Sequence, residues 1–141
     1  MSGYLIFAPC GSGKTRWINN SESLRVHDGD EILARGGVKN KNYFWYDPKY
    51  KQECDKIAEV FARYLNRGYN ILYSGHPGIL TPNYLVIPDK ETRWRRLVTR
   101  AESGGWCPTR QQFETEESIY RDFSATIPTF NSFEECDKLR P

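Results

Sequence analysis

Long apolar runs are missing from this chain of 141 residues. The longest is "YLIFA" at 4–8, whereas a signal peptide needs about 7–15 apolar residues and a bilayer span about 20. We therefore expect a soluble, intracellular protein located in the cytoplasm, with no membrane partner. Internal repeats and low-complexity tracts are also missing, which argues against a solenoid or a disordered tail.

Closely spaced cysteines are missing too. The four cysteines, Cys10, Cys54, Cys107 and Cys136, form no pair at the short spacing that zinc ribbons and fingers use. A structural metal is therefore not expected, and we interpret the cysteines as reduced thiols.

A strong net charge is the third missing feature. The chain has 20 Lys and Arg against 18 Asp and Glu, which leaves a net charge of +2. That balance alone does not indicate a nucleic-acid-binding protein. The chain is 38% hydrophobic and 14% aromatic, which is enough for the core of a single domain over residues 1–141 but not for a second one.

Short apolar runs alternate with segments of helical periodicity. The runs lie at 4–8, 24–26, 70–73 and 84–87 and are typical of buried strands. The predicted helices cover 50–65 with an end at Gly68, a segment capped by Asp89, 114–125, and a short segment from Ser132, where Ser132 and Glu135 form a capping box. This alternation predicts an α/β fold with a parallel sheet flanked by helices, which binds ligands at the carboxyl ends of its strands.

A glycine-rich turn follows the first apolar run. In "APCGSGKT", at 8–15, Gly11 and Gly13 free the backbone to direct N–H groups at phosphate oxygens. Lys14 would neutralise the β and γ phosphates of ATP, and the Thr15 hydroxyl would bind Mg²⁺. Ala8 replaces the usual first glycine and fits if φ is not positive there. The expected ATP-binding residues of the turn are Pro9, Cys10, Gly11, Ser12, Gly13, Lys14 and Thr15; the alternative is a glycine turn with a solvated lysine.

Two aspartates flank a glycine after the second apolar run, in "HDGD". Asp28 is the expected Mg²⁺ ligand, and Asp30 would take the proton of an attacking hydroxyl or anchor the acceptor. The alternative is an Asp-Gly turn with a solvated aspartate. The third run ends in "NILYSGHPG", where Ser74 stands in the place of the aspartate that motors and switches carry. This difference argues against a motor.

Arginines recur at helical spacing in "ETRWRRLVTR". Arg93, Arg96 and Arg100 lie at i, i+3 and i+7, which predicts one arginine face, with Trp94, Leu97 and Val98 pointing inward. Arginines are the usual means of stabilising charge in phosphoryl transfer. The following segment, 101–112, has two glycines and a proline and is predicted to be a short lid, and Arg110 and Arg121 frame the next helix. The alternative is a solvated arginine stripe.

Together these motifs resemble the P-loop kinases, and among them the nucleoside monophosphate kinases such as adenylate kinase. The segments that carry the resemblance are the glycine turn, "GDEIL", "SGHPG" and "VIPDKETRWRRLVTR". The resemblance implies a three-layer P-loop NTPase fold of about five strands, with Arg96 against the ATP base and Arg100 near its phosphates. On the acceptor side it implies Asp30, Arg35, Gly75, His76 and Arg121. Ser74 and Gly78 depart from the family's "DGFPR".

Polynucleotide 5′-hydroxyl kinases are the rival resemblance. Aromatic residues interleave with lysines in "KNKNYFWYDPKYK", at 39–51, as in proteins that bind single-stranded nucleic-acid ends. This stretch overlaps an expected acceptor-side insertion at 35–50, which can equally close over a single nucleotide. Phe44 and Trp45 can instead belong to the core.

The sequence therefore predicts an ATP- and Mg²⁺-dependent phosphotransferase with a nucleoside monophosphate as the acceptor. Its expected catalytic residues are Lys14, Asp30, Arg96, Arg100 and Arg110. One alternative is a kinase of 5′-hydroxyl ends of DNA or RNA. Another is an ATP-binding or NTPase module that transfers no phosphate to an acceptor.

Overall fold

The computed structural model describes residues 3–20, 26–38 and 51–136. Within these ranges strands and helices alternate. The strands are β1 (Leu5–Phe7), β2 (Val26–Asp28), β3 (Asn70–Tyr73), β4 (Tyr84–Val86) and β5 (Thr129–Phe130). The helices are α1 (Lys14–Asn20), α2 (Gly29–Arg35), α3 (Lys51–Asn66), α4 (Lys90–Glu102), α5 (Arg110–Phe123) and α6 (Phe133–Cys136).

The five strands form one parallel sheet in the order β2-β3-β1-β4-β5. The chain leaves β1 toward β2 on one side of the sheet and leaves β4 toward β5 on the other. Because β1 and β4 are neighbours, their connections diverge and open a crevice at their carboxyl ends, where such sheets bind ligands. The predicted α/β fold with a parallel, helix-flanked sheet is confirmed.

Apolar residues of β1 alternate between two cores, one on each face of the sheet. Leu5 and Phe7 pack on the side of α2, α3 and α5, whereas Ile6 and Ala8 pack on the side of α1 and α6. A strand that is covered on both faces has no polar side, which explains the unbroken apolar run in the sequence. No helix in the described ranges is long and apolar enough to cross a bilayer.

Most predicted elements lie where the periodicity indicated. β3 covers 70–73 as predicted, α3 covers the predicted stripe up to Asn66, and Gly68 follows with a positive φ of 91°. Asp89 caps α4 by accepting a hydrogen bond from the Thr92 N–H at 3.0 Å. β2 begins at Val26, and the rest of its predicted run lies outside the described residues, as do residues 39–50 of the insertion predicted at 35–50.

One predicted helix start was wrong, whereas α6 begins at Phe133, directly after the predicted cap Ser132. α5 begins at Arg110 rather than at 114, because Thr109 and Gln112 form a capping box in which each side chain accepts the other residue's N–H. The linker between α4 and α5 is therefore 103–109, shorter than the predicted lid. At α6, the Glu135 carboxylate accepts the Asn131 N–H at 3.2 Å, so this bond forms one residue before the predicted Ser132 cap.

Candidate functional site

The glycine-rich turn joins β1 to α1 at the carboxyl edge of the sheet. Gly11 and Gly13 have positive φ angles of 77° and 90°, which favour glycine. A Cβ on Gly11 would also lie 2.9 Å from Leu97 Cγ of α4. No non-glycine residue in the described ranges has a positive φ, so Ala8 fits its position as expected. The backbone of this turn, called the phosphate loop below (residues 8–15), thus requires its two glycines.

A cavity of about 650 Å³ opens over the phosphate loop, within the usual size range of small-molecule sites. It is lined by Cys10, Gly11, Ser12, Gly13, Lys14, Thr15, Arg16, Asn19, Asp28, Asp30, Ser74 and Arg100. The predicted site residues outside this lining are Pro9, Arg35, Gly75, His76, Arg96, Arg110 and Arg121. Arg16 and Asn19 were not predicted, although Arg16 directly follows the motif.

Lys14 lies between the two predicted aspartates. Its Nζ is 3.5 Å from Asp28 Oδ1 and 3.5 Å from Asp30 Oδ2. The Asp28 oxygen also accepts the Asp30 N–H at 2.9 Å and so caps α2. The ammonium neutralises one of two carboxylates that would otherwise repel an anionic ligand. The strand ends thus bring a cation and two potential oxygen ligands to one edge of the cavity.

The burial and hydrogen bonding of the Ser12 hydroxyl indicate whether the phosphate loop fits a phosphate. Ser12 is only 4% exposed, and its Oγ has no hydrogen-bond partner among the described residues. A buried hydroxyl without a partner costs about 1–3 kcal/mol. Because Ser12 lines the cavity, an anionic oxygen seated in the loop would accept that hydrogen bond. The loop therefore fits a phosphate group.

The predicted Mg²⁺ ligands, Thr15 and Asp28, both line the cavity. The described residues hold no group of three or more His, Cys, Asp or Glu that is arranged for a metal ion. Mg²⁺ usually keeps several waters and takes few carboxylates beside substrate phosphates. Thr15 and Asp28 fit that pattern, with phosphate and water oxygens as the remaining ligands.

Arg93 is not on an exposed arginine face, which corrects the prediction from spacing. Its side chain is fully buried and pairs with Glu117 through Nη1 and with Glu116 through Nη2 at 3.2 Å. It lies four residues before Leu97, which is also fully buried, so both point to the inner side of α4. Trp94 and Val98, predicted to point inward, are only half-buried.

Arg96 and Arg100 lie along the phosphate loop. Arg96 Nη1 donates to the Gly11 carbonyl at 3.3 Å, and Arg100 lines the cavity. The linker folds back on Arg100, since the Gly105 N–H donates to the Arg100 carbonyl at 2.8 Å. A Cβ on Gly105 would lie 2.4 Å from Arg100 Cγ, so only glycine allows this approach. The structure thus brings two of the predicted arginines to the loop.

Arg110 and Arg121 are held away from the cavity by carboxylates. Arg110 Nη2 pairs with Glu91 at 3.2 Å and Glu114 at 2.8 Å, and Arg121 Nε pairs with Glu117 at 2.9 Å. Glu114 and Glu117 are each one helical turn from the arginine that they bind. The roles predicted for Arg110 and Arg121 stay predictions, and either arginine would have to leave its partner to reach a phosphate.

The segment 74–78 meets the cavity at its first residue. Ser74 directly follows β3, which pairs with β1, and lines the cavity. The Gly75 carbonyl accepts the Tyr120 hydroxyl at 2.7 Å, and a Cβ on Gly75 would lie 2.5 Å from the Tyr73 ring. His76 Nδ1 accepts the Gly78 N–H at 2.8 Å, and burial lowers the pKa of His76. Neutral imidazole is therefore favoured near pH 7.

Sequence reasoning missed the buried acids behind the phosphate loop. Glu116 Oε1 accepts both the Cys10 N–H at 3.2 Å and the Cys10 thiol at 3.0 Å, and Arg93 Nε donates to the Cys10 carbonyl at 3.3 Å. The Cys10 N–H is thus bonded to a side chain, not directed at a phosphate. Burial and the neighbouring Glu116 carboxylate raise the pKa of the Cys10 thiol well above its usual range. The one sign of this cluster in the sequence is the four-residue spacing of Arg93 and Leu97, which puts Arg93 on the inner side of α4.

Comparison with known proteins adds no family assignment. No protein-family model matches the chain, and no curated protein matches it significantly. The case for function therefore depends on the residues of the site.

Proposed function

We propose that this protein is an ATP- and Mg²⁺-dependent phosphotransferase of the P-loop kinase type. The observation that carries the proposal is the buried Ser12 hydroxyl, which has no hydrogen-bond partner among residues 3–20, 26–38 and 51–136 and lies in a loop of positive-φ glycines. Lys14 belongs to the same loop and lies between two carboxylates. The strand order and the helices on both faces of the sheet are compatible with a P-loop NTPase fold.

Each group at the cavity has a role in this proposal. The phosphate loop and Lys14 would bind the triphosphate, and Thr15 and Asp28 would hold Mg²⁺, which bridges phosphate oxygens when bound. Arg100 would stabilise charge on the transferring group, and Arg96 would lie against the base. Arg110 would join them only after it leaves Glu91 and Glu114.

The acceptor that we propose first is a nucleoside monophosphate, as the family resemblance implies. Arg35, at the exposed end of α2, and Arg121 would then supply positive charge for the acceptor phosphate. Gly75 and His76 would border its pocket. A phosphate acceptor already carries a nucleophilic oxygen, so Asp30 would orient it without acting as a base.

One observation favours a second candidate, a 5′-hydroxyl end of DNA or RNA. The described lining residues at or just after the ends of β2 and β3 are Asp28, Asp30 and Ser74, and none of these is a cation. A dianionic acceptor would be repelled there, whereas a hydroxyl acceptor would gain a base in Asp30. A general base contributes about 10²–10⁴-fold to the rate.

The test follows the γ-phosphate of labelled ATP, with Mg²⁺, into a panel of acceptors. The panel holds ribo- and deoxyribonucleoside monophosphates and short 5′-hydroxyl DNA and RNA strands, with Lys14→Ala as the blank. Label in diphosphates supports the first acceptor, and label on strand ends supports the second. Tight ATP binding without transfer would contradict both and leave an ATP-binding module.

Asp30→Asn separates the two acceptors kinetically. With a monophosphate we expect a raised KM and a mild loss of kcat, and with a hydroxyl we expect kcat to fall about 100-fold or more. Asp55→Asn, at an exposed position of α3, is the matched control. Unchanged kinetics in Asp30→Asn would contradict a role for Asp30 with either acceptor.

A further inference from the structure

Helix α5 directs two buried polar side chains at two different loops of the site. Glu116 and Tyr120 are 7% and 0% exposed and lie four residues apart, on one side of the helix. Neither lines the cavity, and neither has a role in the proposed transfer. Their hydrogen bonds nevertheless end on the phosphate loop and on the segment 74–78.

Glu116 and its partner Arg93 bind every polar group of Cys10. The amide N–H and the thiol donate to Glu116 Oε1, and the carbonyl accepts from Arg93 Nε. Arg93 Nη2 closes the ring on the same Glu116 oxygen at 3.2 Å. Because Cys10 directly precedes Gly11, this ring fixes the start of the curve that would surround a phosphate.

Tyr120 binds the backbone next to Ser74. Its hydroxyl donates to the Gly75 carbonyl at 2.7 Å, and Gly75 is pressed against the Tyr73 ring. Gly75 is adjacent to Ser74, which lines the cavity. The Tyr120 bond therefore fixes the backbone next to Ser74 without touching the cavity itself.

We propose that Glu116 and Tyr120 are positioning residues, which set the triphosphate side and the acceptor side of the site through one rigid helix. This inference rests on the proposed function. Reacting groups must be held close to their reactive geometry, and a displacement of about 1 Å can cost about 100-fold in rate. Two bonds from adjacent turns of α5 keep the two loops at a fixed separation.

The proposal predicts that each variant weakens the binding of one ligand and leaves the binding of the other unchanged. Glu116→Gln keeps an oxygen for the Cys10 N–H but loses the charge that binds Arg93, and we expect MgATP to bind about two- to tenfold more weakly, the range for one hydrogen bond. Its acceptor affinity should stay within about twofold. Tyr120→Phe keeps the packed ring and should show the reverse, weaker acceptor binding with unchanged MgATP binding. Ser118→Ala, at an exposed position of α5, is the matched control.

Calorimetry measures the affinity of each ligand without turnover. Titration with MgATP gives the affinity of the triphosphate side. Separate titrations with nucleoside monophosphates and with a short 5′-hydroxyl oligonucleotide give the affinity of the acceptor side. Equal weakening of both ligands in either variant, or a loss of thermal stability alone, would overturn the inference. If Glu116→Gln does not fold, Tyr120→Phe decides the question by itself. A wild-type protein that binds no MgATP would overturn the proposed function as well, which separates the two failures.

Discussion

Replacement of Arg93 by methionine should destabilise the protein more than any exposed substitution on α4. The guanidinium is fully buried, contacts Glu116, Glu117 and the Cys10 carbonyl, and lies 4.7 Å from the centre of the Phe113 ring. Its removal leaves the buried Glu116 carboxylate without its cation, and leaves Glu117 with Arg121 as its remaining partner. Breaking a buried ion pair in this way costs about 3–5 kcal/mol, and a domain of this size has about 5–15 kcal/mol in all.

Urea unfolding followed by tryptophan fluorescence measures this loss. With a slope of about 2 kcal/mol per molar urea, the midpoint should fall by about 1.5–2.5 M. Arg95→Met is the matched control, because Arg95 is exposed and, within the described part of the chain, donates only to the Glu91 carbonyl of its own helix, at 3.4 Å. It should change the free energy of unfolding by no more than about 0.5 kcal/mol.

A further variant separates lost charge pairing from lost packing. Addition of Glu116→Gln and Glu117→Gln to Arg93→Met removes the carboxylates that lost the guanidinium and should restore at least half of the lost stability. A loss below about 1 kcal/mol in Arg93→Met, or no recovery in the triple variant, would refute the reasoning that this buried cluster joins α4 to α5.

Three further predictions concern single side chains. Ser12→Ala removes a buried hydroxyl that has no hydrogen-bond partner in the described structure. Urea unfolding should therefore show equal or higher stability, while calorimetry shows MgATP binding about two- to tenfold weaker; a less stable variant would contradict this. Thr109→Ala breaks the capping box of α5 and should cost about 1 kcal/mol in urea unfolding, whereas no loss would mean that the cap is unimportant. The Cys10 pKa is raised from its ordinary value of 9.0 in the folded state, so the unfolded thiol ionises first. Stability should therefore fall as the pH rises above about 9, by at most about 1.4 kcal/mol per pH unit from this group. Urea midpoints across that range should fall less steeply in Cys10→Ala, and an unchanged slope would contradict the shift.

Periodicity predicted the elements whose burial follows a simple pattern. β3 and α3 lie where the apolar run and the apolar stripe predicted them. Strands that are covered on both faces need continuous apolar residues, and amphipathic helices need apolar residues at helical spacing, so both leave a recognisable pattern in the sequence. β5 has only two half-buried residues, Thr129 and Phe130, and leaves no such pattern. The start of α5 was missed because the Thr109 cap was not recognised.

The phosphate loop and its aspartates could be predicted because their positions are local or follow from topology. Parallel strands end at one edge, so Lys14 and Asp28 meet although they are 14 residues apart. The hydrogen-bonded cluster around Arg93 could not be predicted in the same way. A buried charge is uncommon, and its partners, Glu116 and Glu117, lie in another helix. The spacing also did not reveal that a glutamate one turn away binds each of Arg110 and Arg121, whose predicted roles stay predictions.

Titration of MgATP into the wild-type protein and into Lys14→Ala tests most directly whether the phosphate loop holds a triphosphate. We expect the wild-type protein to bind MgATP at least about tenfold more tightly than AMP, since the loop and its lysine contact the phosphates. Lys14→Ala should lose at least about tenfold of this affinity while its urea midpoint shows that it is folded. Equal MgATP affinity in the two folded proteins would contradict a triphosphate site at this loop.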